Sequence, residues 1–149
     1  MRFALCVARF YEELAQRLEA GARRGLDAFD VDVFPVPGAF ELPLAAQQCA
    51  RSGRYDGVVC LGAVIRGETD HYDYVCAEAA RGIQDVQLRT GVPCGFGLLT
   101  VDTYEQALAR SGGAGKRDTG AHAAEAVLAQ LRIAEWLGTA GPAPGARES

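Results

Sequence analysis

The sequence predicts a three-layer α/β/α sandwich in which a four-stranded parallel sheet lies between two layers of helices. Segments with strand character alternate along the chain with segments of helical periodicity, and this order is typical of parallel sheets. Most of the strand segments are apolar on consecutive residues, as in strands that are buried on both faces. A chain of 149 residues is long enough for one such domain and too short for two, so residues 1–138 are predicted to form it.

The predicted strands are short apolar or alternating runs bounded by turn residues. They lie at residues 3–7 (FALCV), 31–34 (VDVF), 57–65 (GVVCLGAVI) and 94–100 (CGFGLLT). The last strand contains two glycines, Gly95 and Gly97, which a strand pattern alone does not explain. Right-handed crossovers between parallel strands place the connecting helices on both faces of the sheet.

The predicted helices have apolar residues three or four positions apart. They cover residues 12–26, 42–53, 72–90, 103–110 and 121–137. Thr103 is a candidate N-cap for the fourth helix. The breaker-rich residues 35–41 (PVPGAFE) and 111–120 (SGGAGKRDTG) are predicted to be loops. Residues 139–149 are rich in Pro, Gly and Ala and are expected to form a disordered tail.

Polar or breaker-rich segments follow the first three strands. They are ARFYEE at residues 8–13, PVPGAFE at residues 35–41 and RGETDH at residues 66–71. In open parallel sheets, ligands bind beyond the carboxyl ends of the strands. We therefore expect these segments to surround the mouth of a site.

The RGETDH segment has the features of an anion-binding turn. Gly67 permits a tight turn, and the residues after it open a helix whose free N–H groups can hold a phosphate. The carboxylates of Glu68 and Asp70 would repel an anion, so the backbone of Glu68 and Thr69 would have to bind it with the carboxylates turned aside. The alternative is that Asp70 or Thr69 only caps the helix.

One of the two histidines lies at this turn. His71 is a candidate general base and acid, and the alternative is a surface histidine without a role. His122 lies within the last predicted helix and is expected to be structural.

Three phenylalanines fall at or near strand ends: Phe10, Phe40 and Phe96. One such ring is usually part of the core, whereas three rings around one mouth favour a flat aromatic ligand held by stacking. Arg110, at the end of the fourth helix, is a second candidate for the anion, although an exposed arginine can equally be solvated.

Composition argues against several other classes of protein. The formal charge is −4 and no basic stripe is present, which disfavours nucleic acid as a partner. No apolar run reaches the roughly 18–20 residues of a membrane span, and the first residues do not look like a signal peptide, so a cytoplasmic location is expected. No His or Cys shows the spacing of metal ligands, GGAGKR is not a P-loop, and the five cysteines are expected to be buried hydrophobic residues.

Long blocks of the chain resemble the lumazine synthase family. The blocks are ARFYEEL, VPGAFELP, LGAVIRGETDHYDYVCAEAARGI, VPCGFGLLTVDTYEQALARSG and the final helix, and they span nearly all of residues 3–137. The resemblance implies a flavodoxin-like fold and a transferase of riboflavin biosynthesis. Such an enzyme condenses 5-amino-6-(D-ribitylamino)uracil with 3,4-dihydroxy-2-butanone 4-phosphate and releases phosphate and water. No metal or organic cofactor and no Schiff-base lysine is implied, which suits a chain whose one lysine is Lys116.

The resemblance also implies a set of site residues. His71 would transfer protons, and Glu68 and Thr69 would offer backbone N–H groups to the phosphate. Phe96 and Arg110 would come from a neighbouring subunit, where the arginine would pair with the phosphate. The pyrimidine and its ribityl chain would meet a further group of residues: Phe10, Ala39, Phe40, Glu41, Ala63, Val64 and Ile65.

The sequence departs from the family pattern at three positions. Tyr11 stands where family members usually have Asn, and Ala63 stands where Thr is common. Thr119 replaces the Lys of an NKG or DKG triplet that helps to hold the phosphate, and Lys116 could substitute for it only if the loop folds back. A protein that binds a flavin or lumazine without turnover is therefore one alternative. A flavodoxin-like electron carrier with tightly bound flavin mononucleotide is another.

The resemblance implies an assembly of pentamers, some of which form sixty-subunit shells in the family. The loop from Arg110 to Gly120 is about one residue longer than in shell-forming members, and the N-terminal segment is shorter. A pentamer, or a pair of pentamers, is therefore expected, with the active site at the subunit interface.

Overall fold

The computed structural model describes residues 1–68, 70–113 and 117–139. The expectations for Thr69, for Lys116 and for the tail after residue 139 fall outside these described residues.

The sheet is four-stranded and entirely parallel, as predicted. Its strands are β1 (Arg2–Ala8), β2 (Asp30–Val36), β3 (Gly57–Ile65) and β4 (Cys94–Val101). Their spatial order is β2-β1-β3-β4, so the two central strands, β1 and β3, bring their carboxyl ends together. This is where an open parallel sheet places its ligands.

Helices cover both faces of the sheet, which confirms the predicted α/β/α sandwich. They are α1 (Glu12–Gly25), α2 (Leu42–Arg51), α3 (Tyr72–Thr90), α4 (Tyr104–Arg110) and α5 (Thr119–Leu137). Apolar residues of α1 and α5, such as Leu18 and Val127, form one core cluster with the sheet. Residues of α2 and α3, such as Leu42 and Ile83, form a second cluster on the opposite face.

Two ends of these elements show how local chemistry sets the boundaries. Thr103 caps α4 as predicted, because its hydroxyl accepts a hydrogen bond from the Gln106 N–H at 3.1 Å. Strand β2 extends through Pro35 to Val36, beyond the predicted end at residue 34. Proline is tolerated there because β2 is an edge strand that pairs only with β1.

The two glycines of β4 lie where α5 crosses the sheet closely. A Cβ atom on Gly95 would collide with the backbone oxygen of Ala123 in α5, and one on Gly97 would lie 3.2 Å from the Ala123 Cβ as well as 2.6 Å from the Leu61 side chain of β3. Only glycine therefore lets α5 pack this near to β4.

Four of the five cysteines, all but Cys76, are buried and unbridged, as expected for small apolar core residues. None of the helices in the described part of the chain has both the length and the apolar character that a membrane crossing requires.

Candidate active site

A cavity of about 200 Å³ opens at the carboxyl ends of β1 and β3. The loop after β1 contributes Phe10 and Tyr11 to its wall, and Val75 of α3 closes one side. The segment after β2 contributes Gly38 and the 3-10 turn Ala39–Glu41. The end of β3 supplies the floor. Residues after β1 and β2 thus meet the end of β3 at one cavity, whereas no described residue of the predicted segment 66–71 lines it.

The floor of the cavity is a strand edge that β1 leaves uncovered. The pairing of β3 with β1 ends at Leu61, whereas its pairing with β4 continues to Ile65. Residues 63–65, which line the cavity, therefore present a backbone edge that no described strand pairs with. Backbone N–H and C=O groups on such an edge can hydrogen-bond the polar rim of a flat heterocycle.

Two aromatic rings stand at the mouth of the cavity. The side chains of Phe10 and Phe40 are 69% and 60% exposed, which is unusual for large apolar groups next to a cavity. A flat ligand that covers these exposed apolar rings removes them from water, which lowers the free energy and favours binding. The site is therefore equipped to hold an aromatic ring by stacking.

The backbone of Gly38 holds the Glu41 side chain in place in the segment after β2. The Gly38 N–H donates to its Oε1 at 2.9 Å, and the Glu41 N–H donates to the Gly38 carbonyl at 3.2 Å. This reciprocal pair fixes an exposed carboxylate at the cavity wall, where it can accept hydrogen bonds from ligand hydroxyls.

The turn between β3 and α3 is tight, as Gly67 predicts. Gly67 has a φ of +87°, which favours glycine. Arg66 fastens the turn to β4: its backbone N–H donates to the Val101 carbonyl at 2.8 Å, and its Nε donates to Asp102 Oδ1 at 2.9 Å. The guanidinium also lies 4.3 Å from the centroid of the Tyr72 ring. The segment that leads into α3 is thus held at both ends.

His71 is exposed and directly precedes the first residue of α3. Its carbonyl accepts the first helical hydrogen bond, from the Val75 N–H at 2.9 Å. Residues four apart lie on the same side of a helix. His71 is four residues before Val75, which lines the cavity, so both residues lie on the side of α3 that faces the cavity. The imidazole does not itself line the cavity.

Tyr11 forms a contact that sequence reasoning missed. Its hydroxyl donates to Glu68 Oε1 at 2.7 Å, and its ring meets Phe10 and Tyr104 edge-on, with centroids 4.9 and 6.3 Å away. Burial, together with the Glu68 carboxylate, raises the pKa of Tyr11 to about 12. The sequence showed Tyr11 only as a departure from the family pattern; no spacing rule links a residue after β1 to one after β3.

Two residues predicted for the site lie elsewhere in this chain. Phe96 lies on the edge strand β4, where it pairs with Cys60. It is 44% exposed and borders a different cavity together with Gln87 and Gln130. Arg110 ends α4, is partly buried and forms no ion pair with the described residues. Neither side chain lines the 200 Å³ cavity.

The charged side chains among the described residues that line the cavity have one sign. Of the described residues that line it, none is Lys or Arg, and Glu41 is acidic. Glu68 adds a second carboxylate at the Tyr11 hydroxyl. Within one described chain, an anionic group would meet backbone N–H groups but no cation in this cavity. Among the described residues, no three His, Cys, Asp or Glu side chains are grouped so that they could hold a metal ion.

Comparison with known proteins agrees with these observations. A profile of the 6,7-dimethyl-8-ribityllumazine synthase family matches residues 1–135. The chain is 48% identical over 143 residues to the 6,7-dimethyl-8-ribityllumazine synthase of Desulfovibrio desulfuricans, covering 92% of this chain and 90% of the relative. It is 52% identical over 132 residues to the protein of the same name from Salinibacter ruber, covering 85% and 84%. The chain therefore belongs to the 6,7-dimethyl-8-ribityllumazine synthase family.

Proposed function

We propose that this chain catalyses the condensation of 5-amino-6-(D-ribitylamino)uracil with 3,4-dihydroxy-2-butanone 4-phosphate to 6,7-dimethyl-8-ribityllumazine in riboflavin biosynthesis. Phosphate and water leave during the reaction. The observation that carries the proposal is the grouping of seven of the twelve predicted site residues around one cavity: Phe10, Ala39, Phe40, Glu41, Ala63, Val64 and Ile65.

The pyrimidine and its ribityl chain match the two halves of this cavity. The ring stacks on Phe10, and its polar rim meets the uncovered edge of β3 at residues 63–65. The ribityl hydroxyls donate to the Glu41 carboxylate, which the Gly38 N–H holds in place. In this arrangement the Phe10 ring, the backbone of residues 63–65 and the Glu41 carboxylate all bind the same ligand.

The phosphate and the proton transfers belong at the start of α3. We assign the phosphate to the positive end of a 19-residue helix and to the Glu68 N–H. In this structure that N–H donates to the Ile65 carbonyl at 3.3 Å, a turn bond that it would exchange for the phosphate. Thr69, outside the described residues, is assigned to the same role. His71 transfers protons to and from the reacting groups. The substrate's own amine forms the imine, so the reaction needs no lysine from the protein.

The triplet Asp118-Thr119-Gly120, in which Thr replaces the family Lys, forms the start of α5 in this chain. Asp118 Oδ1 accepts from the Ala121 N–H at 3.1 Å and caps α5, while its Oδ2 accepts from Arg24 at 2.6 Å. Thr119 is the first residue of α5. In this chain the proposed cation for the phosphate is therefore Arg110 of a neighbouring subunit.

A pentamer, or two paired pentamers, supplies that subunit. Phe96 and Arg110 lie away from their own cavity, and the cavity has no described basic residue in its wall. A second cavity, of about 680 Å³, lies between β2 and α2, is lined by apolar residues such as Phe34 and Leu44, and shares Phe40 with the first. Apolar surface beside an incomplete site favours a neighbouring subunit at this position.

Light scattering tests the assembly. Five copies of the 15.8 kDa chain give a particle of about 79 kDa and ten copies about 158 kDa. A particle near one megadalton would contradict the expected small assembly and indicate a shell, and a 16 kDa monomer that is fully active would contradict the interface site.

A spectroscopic assay tests the activity. The purified protein is mixed with both substrates, and lumazine absorbance and phosphate release are followed together. We expect equal amounts of both products above the uncatalysed rate, and none above background when either substrate is omitted. Lumazine or flavin binding without turnover would favour the binding protein instead. A tightly bound, redox-active flavin in the visible spectrum would favour the electron carrier. The cytoplasmic location stays a prediction, which cell fractionation can test.

A further inference from the structure

Tyr11 connects two loops of the candidate active site. It belongs to the loop after β1, and its hydroxyl bonds Glu68 in the turn after β3 at 2.7 Å. Its ring meets Phe10 and Tyr104 edge-on, and with these contacts the hydroxyl points at Glu68. The position of the Glu68 carboxylate is therefore set by a side chain from a different strand.

The position of this carboxylate matters because of the charge of the proposed substrate. Glu68 lies in the turn that leads into α3, where its backbone N–H is assigned to the phosphate. A carboxylate that swung toward the phosphate would repel it, and the repulsion falls as the two charges separate. A phosphate bound by the backbone of this turn requires that the carboxylate be turned aside, and the hydrogen bond to Tyr11 is a contact that can hold it there.

We propose that Tyr11 is a positioning residue whose hydroxyl holds the Glu68 carboxylate away from the phosphate of the substrate. The inference rests on the proposed function, and it gives a role to the position at which this chain departs from its family. The raised pKa of Tyr11, about 12, agrees with this role, since the hydroxyl remains a protonated donor well above neutral pH.

The substitution Tyr11→Phe removes the hydroxyl and keeps the ring. We expect the KM for the butanone phosphate and the dissociation constant for inorganic phosphate to rise about threefold to thirtyfold. The KM for the ribitylaminouracil should change less than twofold, because the stacking ring of Phe10 is untouched. Calorimetric titration with inorganic phosphate measures the effect without turnover, and a melting curve shows that the variant is folded.

A second substitution separates positioning from packing. Glu68→Gln removes the charge that Tyr11 holds aside, so Tyr11→Phe should lose most of its effect in the Glu68→Gln background. Tyr104→Phe is the matched control: its hydroxyl donates to Glu13 at 3.1 Å, and its removal should leave the phosphate constants unchanged. An equal loss from Tyr11→Phe with and without Glu68→Gln would overturn the proposal, as would no loss at all.

The two proposals fail in different ways. An active wild type whose Tyr11→Phe variant binds phosphate normally refutes the role of Tyr11 and leaves the proposed function intact. A wild type that forms no lumazine refutes the proposed function. If that inactive protein still binds inorganic phosphate with the expected dependence on Tyr11 and Glu68, the positioning role is upheld, and if it does not bind phosphate, that role is overturned as well.

Discussion

His71 combines an exposed imidazole with a place at the start of α3, on the side from which Val75 reaches the cavity. Replacing it with alanine removes the one proposed proton-transfer group and leaves the stacking and backbone contacts in place. We expect His71→Ala to lower kcat by roughly 10- to 1000-fold. The lower end follows if most of the acceleration comes from bringing two reactive substrates together. Initial rates of lumazine formation at saturating substrates measure the change.

The second histidine provides the control for this substitution. His122 is exposed on α5, outside the residues that line the cavity, and His122→Ala should retain the kcat of the wild type. If His71→Ala also retains it, the proton transfers belong to another group or to the substrates themselves.

At the level of single residues, the sequence predicts which residues line a site better than it predicts the contacts between their side chains. Phe40 and Glu41 could be placed at the cavity because segments that follow neighbouring parallel strands must meet at one edge. The bond between Tyr11 and Glu68 could not, since the two residues are 57 positions apart and on loops whose shapes no pattern gives. The family resemblance placed residues 63–65 beside the pyrimidine, but periodicity alone could not show that their backbone edge is uncovered, because the register of β1 against β3 appears only in the folded chain.

Among the elements, α5 depends on Asp118 at its first turn. Burial alone would raise the pKa of this carboxyl, but the Arg24 guanidinium and the Ala121 N–H outweigh that effect and hold the pKa below its usual value. A lowered pKa means that the carboxylate stabilises the fold above the pKa of the unfolded chain, near 4. The contribution is lost as the pH falls through the lower pKa of the folded state.

Asp118→Asn tests this element without removing the cap, because Asn is also a good N-cap residue. We expect the free energy of unfolding at pH 7 to fall by up to about 1 kcal/mol, the scale of a partly exposed ion pair. Urea titrations at a series of pH values should show the difference from wild type shrinking toward pH 2. Adding Arg24→Gln to Asp118→Asn should cost almost nothing more, and a large further loss would mean that Arg24 acts through another partner.

The crossing of α1 and α5 depends on a small residue at position 120. A Cβ atom on Gly120 would collide with the Leu18 backbone oxygen of α1, and one on Gly25 would lie 2.9 Å from Ala124. Alanine normally favours a helix by up to about 1 kcal/mol relative to glycine. Here we expect the opposite sign, with Gly120→Ala lowering the free energy of unfolding by about 1–3 kcal/mol as the helices are forced apart.

Chemical denaturation measures this loss, and Glu125→Ala serves as the control on the same helix. Glu125 is exposed, so its replacement should change the free energy of unfolding by less than about 0.5 kcal/mol. A Gly120→Ala variant as stable as the wild type would show that the two helices can separate at no cost.

Element positions were more predictable than element ends. The strands β3 and β4 stand where their apolar runs predict them, because a buried strand has to be apolar. The start of α5 was placed two residues late, at residue 121 rather than Thr119. Its capping residue, Asp118, lies inside a segment that composition marks as a loop. A cap depends on one local hydrogen bond from a side chain to the backbone, and hydrophobic periodicity does not show where such a bond forms.

For the whole molecule, the alternation of strands and helices sufficed to predict the layers of the fold. It could not show which exposed apolar side chains another subunit covers, because periodicity separates buried from exposed only within one chain. Trp136 is 89% exposed and Phe96 44%, and the sequence pattern treats them alike. The family resemblance, and not the pattern, assigned Phe96 and Arg110 to a neighbour.

Mixed oligomers test that assignment directly. If His71 and Arg110 of one site come from different subunits, a chain with His71→Ala and a chain with Arg110→Ala can together form a site in which both residues are intact. In a randomly mixed assembly, about a quarter of the interfaces would combine an intact His71 with an intact Arg110. At low concentrations of the butanone phosphate, where the loss of Arg110 weakens binding most, we expect the mixture to recover about a quarter of the wild-type rate.

The control is an assembly in which every chain carries both substitutions, since no arrangement of such chains restores a complete site. Two different affinity tags allow assemblies that contain both single variants to be isolated before the assay. If each subunit had a complete site of its own, the mixed assembly would show only the average rate of its two parents. That result would mean that the phosphate is not bound by an Arg110 from a neighbouring subunit.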